Sequence, residues 1–486
     1  MSILTDPTPD IAGDADAIGT LHDRFAAQKR AFLTDPYPSL EARIANLQAL
    51  IAMMVANSDA IVAAMSADFG SHPAAASEMV EVMGVIARAT HAIEALPGYM
   101  TPESRAVDPA FFGTATAAIR HQPKGVIGNI VPWNFPFDLA IGPLIDMLAA
   151  GNRAIIKPSE YTPACAALMA RMIAETFDAD LVTVIEGGLA LSRAFADLRW
   201  DHLLYTGSPN VGREIMMAAA RNLVPVTLEL GGKCPAILTP GAVTAANVAD
   251  VIGTKLIKSG QVCISVDYTL VPRDELDAFV TLATDHFRAT TPAYSRSDDC
   301  AGIISERHLD RIAAMIDDAR ASGATIVDPE ENSATDRATR RMPFTMIVDP
   351  GPDTRVMREE IFGPILPIVA YDGVDDAIAF VNAGERPLGL YVFGDDPAVT
   401  GRVVERTVSG GAAINACAMH AALPNMGFGG VGNSGMGRHH GPEGFREFSN
   451  PRGVFTRGTG DAIPLFYPPY ANAAAMLAAM KAAPTA

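Results

Sequence analysis

One cysteine in the chain has neighbours that would let a thiol react. Cys263 lies in the stretch KLIKSGQVCIS, residues 255–265, where the residues next to it are small or apolar. Gly260 would let the backbone come close to a substrate. However, an isolated cysteine is more often a small buried hydrophobe, and a thiolate would need positive potential that no sequence-adjacent histidine provides. The local sequence leaves both interpretations open.

Two further segments carry groups that could assist a nucleophile. Glu229 stands in the apolar run VTLELGGK, and a carboxylate in an apolar cleft has a raised pKa that suits a general base. Asn134 stands in IVPWNFPFDL between aromatic and proline residues, where its amide could donate to a developing oxyanion. A solvated strand end and a helix cap are the simpler alternatives.

A third pair of segments could hold a nucleotide. In YTGSPNVGREI a strand ends at Gly207, and Ser208 begins a helix that contains Gly212; such a turn favours a phosphate at the helix N-terminus. The spacing is GxxxxG rather than the common GxGxxG, so the glycines alone are weak evidence. Lys157 and Glu160, in RAIIKPSE, could contact sugar hydroxyls or form an ordinary surface ion pair.

Two more segments are ambiguous when taken alone. REEIFGPILPI joins Glu360 to Phe362, and adjacent acids are usually a solvated turn. MGFGGVGNSGMGRHHG is rich enough in glycine for a flexible loop, although Phe428 and the small residues also suit a loop packed against another backbone.

The composition is that of a globular enzyme. The chain of 486 residues is too long for one core, so we expect two or more domains. A net charge of −18 would repel a polyanion, which argues against a nucleic-acid partner. Five scattered cysteines without a CxxC pair argue against a disulfide framework and a zinc site, and they predict a reducing, cytoplasmic environment.

We expect no membrane span. The N-terminal MSILTDPTPDIAGDAD is acidic where a signal peptide would be basic and then apolar. Of two uncharged runs, residues 407–437 are rich in glycine and asparagine. Residues 462–480 contain prolines that leave a helix well short of the ~20 residues a span needs.

The order of elements predicts an α/β fold. The first hundred residues are typical of helices, one of them following Ser39 as its expected cap. From Arg120 short β-prone runs alternate with helices, and a second such series after Gly231 includes a helix over Asn247–Lys258. This alternation predicts helix-covered parallel sheets in two domains. FFGTATAAIRHQP should form an extended arm that pairs with the tail PRGVFTRGTGDAIPLFYPPY or with a neighbouring subunit.

Seven segments, taken in chain order, resemble the NAD(P)-dependent aldehyde dehydrogenase superfamily. They are PWNFP, KPSE, TGS with Gly212, LELGGK, GQVC, EEIFGP and FGGVGNSGMG, and the similarity extends from about Leu21 to Phe455. Each motif alone is modest, whereas all of them in order at suitable spacing are specific. FGGVGNSGMG, GVF and the tail YPPY resemble the class 3 branch; DHLLYTGS, SADFG and PYPSLEARI resemble coniferyl aldehyde dehydrogenases in particular.

The resemblance assigns roles to residues of this chain. Cys263 matches the nucleophile, Glu229 the general base and Asn134 the oxyanion-hole amide, while Glu360 could share the role of base. The residues matching the cofactor site are Pro132, Trp133, Lys157, Ser159, Glu160, Gly207, Ser208, Gly212, Leu230, Gly231, Glu360 and Phe362. The resemblance implies no metal.

The same resemblance implies a division of the chain into two doubly wound, Rossmann-like domains and an arm. Residues 1–105 and 123–229 would form N-terminal helices and the NAD(P)-binding domain, and residues 230–430 the catalytic domain. Residues 106–122 and 431–486 would form an oligomerisation arm and tail, which implies a homodimer or a dimer of dimers.

The implied reaction is oxidation of an aldehyde to a carboxylic acid through a thioester on Cys263. NAD is the expected cofactor, with NADP as the alternative, because Glu160 should repel a 2′-phosphate. An aromatic or bulky apolar aldehyde is the expected substrate, and a medium-chain aliphatic one the alternative. Transfer to coenzyme A is disfavoured because acylating relatives tend to lack the base that Glu229 matches. If the chain were a non-catalytic protein with the same fold, we would expect at least one of Asn134, Glu229 and Cys263 to be replaced, and all three are present.

Four departures from the family pattern concern the substrate more than the chemistry. Gly427 stands where the family often has proline, and Cys234 where it has a small polar residue. Phe135 stands where class 3 enzymes favour tyrosine, and Ile414–His420 differs from the coniferyl relatives.

Overall fold

The computed structural model describes residues 14–482, and the structural statements below refer to that range. Helices account for most of the chain before β2 and cover the sheets after it. The expected cap of the second helix is confirmed, because the Ser39 hydroxyl accepts the Ala42 N–H at 3.2 Å. The helices are α1 Asp14–Thr34, α2 Leu40–Ala56, α3 Ser58–Phe69, α4 Ala74–Ser77, α5 Val85–Tyr99, α6 Pro109–Phe112, α7 Asp138–Ala149, α8 Pro163–Thr176, α9 Leu189–Ala196, α10 Pro209–Ala220, α11 Ala245–Leu256, α12 Leu276–Thr290, α13 Glu306–Ala321, α14 Arg355–Arg358, α15 Val374–Ala383, α16 Pro397–Arg406, α17 Gly441–Glu447 and α18 Ala474–Ala482.

The first sheet has six strands and is covered on both faces. Its strands, in spatial order, are β15 Gly435–Met436, β7 Val226–Leu230, β6 His202–Gly207, β3 Val126–Ile130, β4 Arg153–Lys157 and β5 Val182–Val184. Val126 packs with α1, α9 and α10, whereas Ile127 packs with α2, α3, α5, α7 and α8. Because successive side chains point to opposite faces, burial of both faces explains why these strands are continuously apolar.

The second sheet has seven strands and is built in the same way. In spatial order they are β10 Thr325–Val327, β11 Thr345–Val348, β12 Ile365–Tyr371, β9 Tyr268–Pro272, β8 Pro235–Leu238, β13 Gly389–Phe393 and β14 Gly411–Ile414. Helices α11 and α12 pack on the face that carries Leu238, and α15 and α16 pack on the face that carries Ile237. The predicted fold class, two helix-covered parallel sheets, is confirmed.

A third, three-stranded antiparallel sheet lies apart from these two. Its strands are β1 Glu103–Arg105, β2 Thr116–Pro123 and β16 Ser449–Thr456. The register of β2 with β16 runs from Thr116 opposite Thr456 to Pro123 opposite Ser449. The expected pairing of arm and tail is therefore made within one chain.

Three details differ from the sequence-based expectations. The edge strands β15 and β10 run antiparallel to their neighbours, and residues 328–344, which join β10 to β11, contain no helix. The helix expected over Asn247–Lys258 ends at Leu256, and Lys258 and Ser259 adopt left-handed backbone conformations with φ of 52° and 53°. Sheet membership also crosses the expected boundaries, since β1 precedes residue 106 and β15 follows residue 430.

We find no single helix in residues 14–482 that is long and apolar enough to cross a membrane. The pair α2 and α3, bent by 64°, satisfies that test by length and composition alone.

One buried asparagine joins three parts of the first half of the fold. Asn152 is 1% exposed, and its Oδ1 accepts the backbone N–H groups of Lys124 and Gly125 at 2.7 and 2.9 Å. Its Nδ2 donates to the carbonyl oxygens of Met147 and Phe448 at 3.2 and 2.8 Å. The side chain thus ties the turn between β2 and β3 to the end of α7 and to the segment entering β16.

Replacing Asn152 should lower the free energy of unfolding by more than the loss of one small side chain would. We expect Asn152→Ala to lower the free energy of unfolding by about 2–4 kcal/mol, because backbone groups are left buried without partners. Denaturant unfolding of both proteins measures the difference. Asn382→Ala, which removes one exposed bond to the Arg406 carbonyl, should change it by less than about 0.5 kcal/mol. Equal effects of the two substitutions would contradict this account.

Candidate active site

The loop that carries Cys263 is held by its backbone and by one buried glutamine. Gly260 has φ of 74°, and a Cβ there would lie 2.2 Å from the Gly363 carbonyl oxygen. Glycine is therefore needed for contact with another part of the chain, rather than with a substrate as the sequence suggested. The Gln261 amide donates to the Lys258 and Gly302 carbonyls at 3.1 and 3.0 Å. These contacts fix the path of the chain just before the thiol.

Asn134 meets this loop from the other half of the fold. It lies in the connection between β3 and α7, is 4% exposed, and its Nδ2 donates to the Gln261 carbonyl at 3.2 Å. The carbonyl of Cys263 itself accepts the Cys234 thiol at 3.4 Å, and the Gly389 N–H donates to the Cys234 sulfur at 3.2 Å. The structure thus places the predicted oxyanion-hole amide against the loop of the predicted nucleophile. Cys234 stabilises the same loop through its hydrogen bond to the Cys263 carbonyl.

The Cys263 thiol is not activated by its surroundings in the absence of ligands. Burial raises its pKa well above the ordinary value, and Glu360, Cys234 and Glu229 each raise it further when ionised. The side chain nevertheless lines a cavity, so ligands can reach it. The surrounding residues therefore favour the thiol of Cys263 over its thiolate.

Glu229 lies on β7, and its carboxyl group is buried without hydrogen bonds to other described residues. It is 2% exposed, and among the described residues neither carboxyl oxygen has a hydrogen-bond partner. Burial raises its pKa well above the ordinary value, while the charge of Arg438 opposes that shift. A Cβ at Gly429 would lie 3.0 Å from Glu229 Oε1, so the glycine-rich loop covers this carboxyl closely. The solvated strand end considered from sequence is not what the fold contains.

Glu360 packs directly on the glycine pair that follows Glu229. A Cβ at Gly231 would lie 2.0 Å from Glu360 Oε2, and the carboxyl accepts the Gly232 N–H. Burial, with a contribution from Asp267, raises the pKa of Glu360 to about 8. The segment is therefore not the solvated turn that two adjacent acids usually form, and at neutral pH Glu360 holds its proton.

A single cavity of roughly 1400 Å³ joins these groups to the predicted nucleotide-binding residues. Its wall includes Asn134, Glu229 and Cys263, and it also includes Pro132, Trp133, Lys157, Ser159, Glu160, Gly207, Ser208, Leu230, Gly231, Glu360 and Phe362. Gly212 is different. It lies on the buried face of α10, where a Cβ would come within 2.7 Å of Leu230 Cδ2, so its place is in the packing of helix on strand.

The wall has a polar end and an aromatic side. Lys157 Nζ and Glu160 Oε2 form a largely buried ion pair at 2.8 Å, which excludes the simple surface pair considered from sequence. The Ser208 hydroxyl caps α10 by accepting the Val211 N–H at 3.4 Å, so the helix N-terminus opens on the cavity. Trp133 and Phe362 meet edge to face with ring centroids 5.3 Å apart. No group of three or more His, Cys, Asp or Glu side chains in residues 14–482 is arranged to hold a metal ion.

Two helix-covered sheets, with a cavity that joins Cys263 to the predicted nucleotide-binding residues, are typical of a dinucleotide-binding oxidoreductase. The family model for aldehyde dehydrogenases matches residues 21–454. The chain therefore belongs to the aldehyde dehydrogenase family, and the resemblance found in its motifs is confirmed.

Known relatives agree over nearly the whole chain. The probable coniferyl aldehyde dehydrogenase of Caulobacter vibrioides is 44% identical over 456 residues, which covers 93% of this chain and 94% of that protein. The substrate-bound AldH of Staphylococcus aureus has a TM-score of 0.88 at 33% identity, covering 95% and 99%. The aldehyde dehydrogenase of Mycobacterium tuberculosis complexed with NAD+ has a TM-score of 0.80 at 29% identity, covering 92% and 90%.

Sequence reasoning missed several side chains that shape the site. Arg438, whose guanidinium donates to the carbonyls of Gly410 and Gly429, is the cation beside Glu229. Thr206 lies opposite Glu229 on the neighbouring strand, and its hydroxyl is buried without a partner in the described residues. Cys234 was visible as a departure from the family pattern, whereas no local pattern pointed to Thr206 or Arg438.

Neutralising Glu360 should make the Cys263 thiol more reactive in alkaline solution. The pKa of Glu360 is about 8, so above that pH its carboxylate disfavours the thiolate, and below it little charge is present to remove. We expect Glu360→Gln to speed iodoacetamide labelling of Cys263 several-fold at pH 9 and to change it little at pH 7. Peptide-resolved mass spectrometry measures this, with buried Cys165 and Cys300 as internal controls. Identical labelling at pH 9 would show that Glu360 does not control the thiol.

Proposed function

We propose that this protein oxidises an aldehyde to the carboxylic acid with a nicotinamide dinucleotide, and that Cys263, Asn134 and Glu229 carry the reaction. The observation that supports this most is their convergence. Residues from three distant parts of the chain line one cavity, and the Asn134 amide reaches the loop of Cys263 at 3.2 Å. Membership of the family gives the reaction class, and the geometry supports the roles.

The cavity fits a dinucleotide by its size and by the groups in its wall. Backbone N–H groups at the start of α10, beside Gly207 and Ser208, suit a pyrophosphate. Lys157 and Glu160 offer a donor and an acceptor to ribose hydroxyls. Glu360 Oε1, buried without a partner in the described residues, could accept from a second ribose. We therefore place the adenosine end near Lys157 and the nicotinamide end near Cys263.

The chemistry begins when the Cys263 sulfur attacks the aldehyde carbon and the thiol proton passes to solvent water. The C=O electron pair moves to oxygen, which the Asn134 amide and the Cys263 backbone N–H stabilise. The bound nicotinamide supplies the acceptor for the hydride that leaves this carbon. The carbonyl re-forms as a thioester on Cys263.

Hydrolysis of the thioester requires a base for water, and Glu229 suits that role. Its two carboxyl oxygens have no hydrogen-bond partner among the described residues, and the charge of Arg438 favours its ionised form. Glu229 takes a proton from water as the water oxygen attacks the carbonyl carbon. The carbon–sulfur bond then breaks, the acid is released and the sulfur recovers a proton. The same base argues against transfer to coenzyme A.

A bulky aromatic aldehyde of the coniferyl type is our proposed substrate. Support comes from the relative of that name at 44% identity and from Phe428, an aromatic residue of the cavity wall that is not among the residues matched to the cofactor site. A medium-chain aliphatic aldehyde is the alternative. Comparing kcat/KM for coniferyl aldehyde, benzaldehyde, hexanal and succinic semialdehyde separates them, and succinic semialdehyde as the best substrate would refute an apolar pocket.

Several finer features belong to the same proposal. The first sheet, with its helices, would bind the cofactor, and the second would carry the nucleophile. The sheet of β1, β2 and β16 would contact a second subunit in a homodimer or a dimer of dimers, since its outer strands have free edges in the described chain. Five free cysteines support a reducing, cytoplasmic setting.

Glu229→Gln should separate the two halves of the reaction. Hydride transfer does not require this base, so one equivalent of NADH should form rapidly per site. Turnover should then fall by roughly 10²–10⁴ because the thioester is not hydrolysed. Rapid-mixing absorbance and intact-mass detection of acylated Cys263 measure both effects.

The control is Cys263→Ala, which should lose both the burst and the acyl adduct. Free acid as the product in the presence of coenzyme A is expected for the wild type. A wild type that reduces NAD with none of the aldehydes tested, or a Glu229→Gln variant with normal turnover, would contradict the assignment.

Glu160→Gln should shift cofactor preference toward NADP. The Glu160 carboxylate, paired with Lys157, would repel a 2′-phosphate, and its removal leaves the Lys157 ammonium free to attract one. We expect the ratio of kcat/KM for NADP to that for NAD to rise about tenfold. Glu175→Gln, which removes an exposed carboxylate paired with Arg171, should leave the ratio unchanged. A wild type with the lower KM for NADP at equal kcat would refute NAD preference.

A further inference from the structure

Two loops hold the groups that we place in the reaction. One connects β3 to α7 and carries Asn134, and the other connects α11 to β9 and carries Cys263. They belong to different sheets and touch through the Asn134 amide and the Gln261 carbonyl. An oxyanion hole works only if its donors keep a fixed distance from the nucleophile. The side chains that hold the two loops in place therefore control this distance.

Glu81 supports the first loop. Its side chain is 1% exposed and comes from a π-helical segment, Glu78–Gly84, that lies between α4 and α5. One oxygen, Oε2, accepts the N–H groups of Phe137 and Asp138 at 3.0 and 2.8 Å, where the loop becomes α7. A carboxylate at a helix N-terminus is favourable, and π-helical segments often occur at functional sites.

Lys258 supports the second loop. It stands just before Cys263 with φ of 52° and ψ of 33°, and its Nζ lies 3.3 Å from the remaining Glu81 oxygen, Oε1. The same ammonium lies 4.2 Å from the ring centroid of Phe135 and 4.7 Å from that of Phe69. A left-handed lysine and a buried ammonium are each unfavourable alone. Surrounding contacts must specify both.

We propose that Glu81 and Lys258 are positioning residues that set the spacing between the Asn134 amide and the Cys263 thiol. The Glu81 carboxylate holds the backbone just after Asn134 with one oxygen and the turn just before Cys263 with the other. Phe135, next to Asn134, packs on the same ammonium. This inference rests on the proposed function, because it assumes that both loops take part in one reaction.

The double variant Lys258→Met with Glu81→Gln tests the proposal. Each single substitution leaves a buried charge unpaired and should lower the thermal midpoint, whereas the double variant removes both charges and should recover much of it. In the double variant we expect hydride transfer to slow by at least about tenfold. The KM for NAD and the rate of Cys263 alkylation by iodoacetamide, which do not use Asn134, should stay within about twofold.

Asp68→Asn is the matched control. Asp68 accepts two consecutive N–H groups, of Ala164 and Cys165 at 3.0 and 2.8 Å, at the start of α8, but it contacts neither loop. Its substitution should lower the thermal midpoint without slowing hydride transfer. This separates a general loss of stability from a loss of spacing in the site.

A double variant with wild-type hydride transfer would overturn the proposal. If that variant is unfolded at the assay temperature, Glu81→Asp replaces it, since it keeps both charges and shortens the link by one methylene. The same split between hydride transfer and alkylation is expected, and unchanged hydride transfer would again refute a positioning role. A wild type inactive with every aldehyde would refute the proposed function instead, so the two failures are distinguishable.

Discussion

Three acidic groups lie at one poorly solvated end of a cavity, where burial disfavours the charged form of each. Burial raises the pKa of the Cys263 thiol and of the Glu229 and Glu360 carboxyls, and the negative charge of either carboxylate raises the thiol pKa further. Such groups titrate as a set rather than singly. The proposed reaction has an order that suits this constraint. Once the sulfur is acylated it can no longer ionise, so one competitor for negative charge is gone when Glu229 must act as a base.

Close packing of backbone, rather than bulky side chains, creates the dry environment. Gly231 lies under Glu360, Gly429 lies against Glu229, and Gly260 lies against Gly363, each at a distance that leaves no room for a Cβ. Polypeptide backbone thus fills space that solvent would otherwise occupy beside these groups, which contact solvent only on the side of the cavity. The glycines of LELGG, FGGVG and SGQ thus act through one physical effect, the removal of solvent from ionisable groups.

Much of the fold and of the site could be predicted from the sequence, because the signals were local. Alternating apolar runs gave the two sheets, and Ser39 marked the start of α2. The family motifs indicated Cys263, Glu229 and Asn134 as site residues, and the structure places all three in the wall of one cavity. What the sequence could not show was which neighbours each group would acquire. The pairing of Glu81 with Lys258 joins residues far apart in the chain, and Lys258 itself looked like the last residue of a helix.

Gly212 is a residue whose contacts were predicted from the sequence but differ in the structure. Its spacing suggested contact with a cofactor, but the residue lies on the face of α10 that packs on Leu230. A position can require glycine because a ligand comes close to the backbone or because a neighbouring strand does. The sequence shows glycine in both cases and does not distinguish them. Only the direction in which the helix faces distinguishes them.

The short strand β15 has a consequence for how the protein is made. It pairs with β7, and the Ser434 carbonyl accepts the Leu230 N–H at 3.0 Å, so the edge beside Glu229 is covered by a segment near the end of the chain. Synthesis proceeds from the N-terminus. All strands of the six-stranded and seven-stranded sheets except β15 are synthesised before this edge strand. Until β15 has been synthesised, the edge of β7 that carries Glu229 stays unpaired, so this carboxyl is covered only after every other strand of the two parallel sheets has been made.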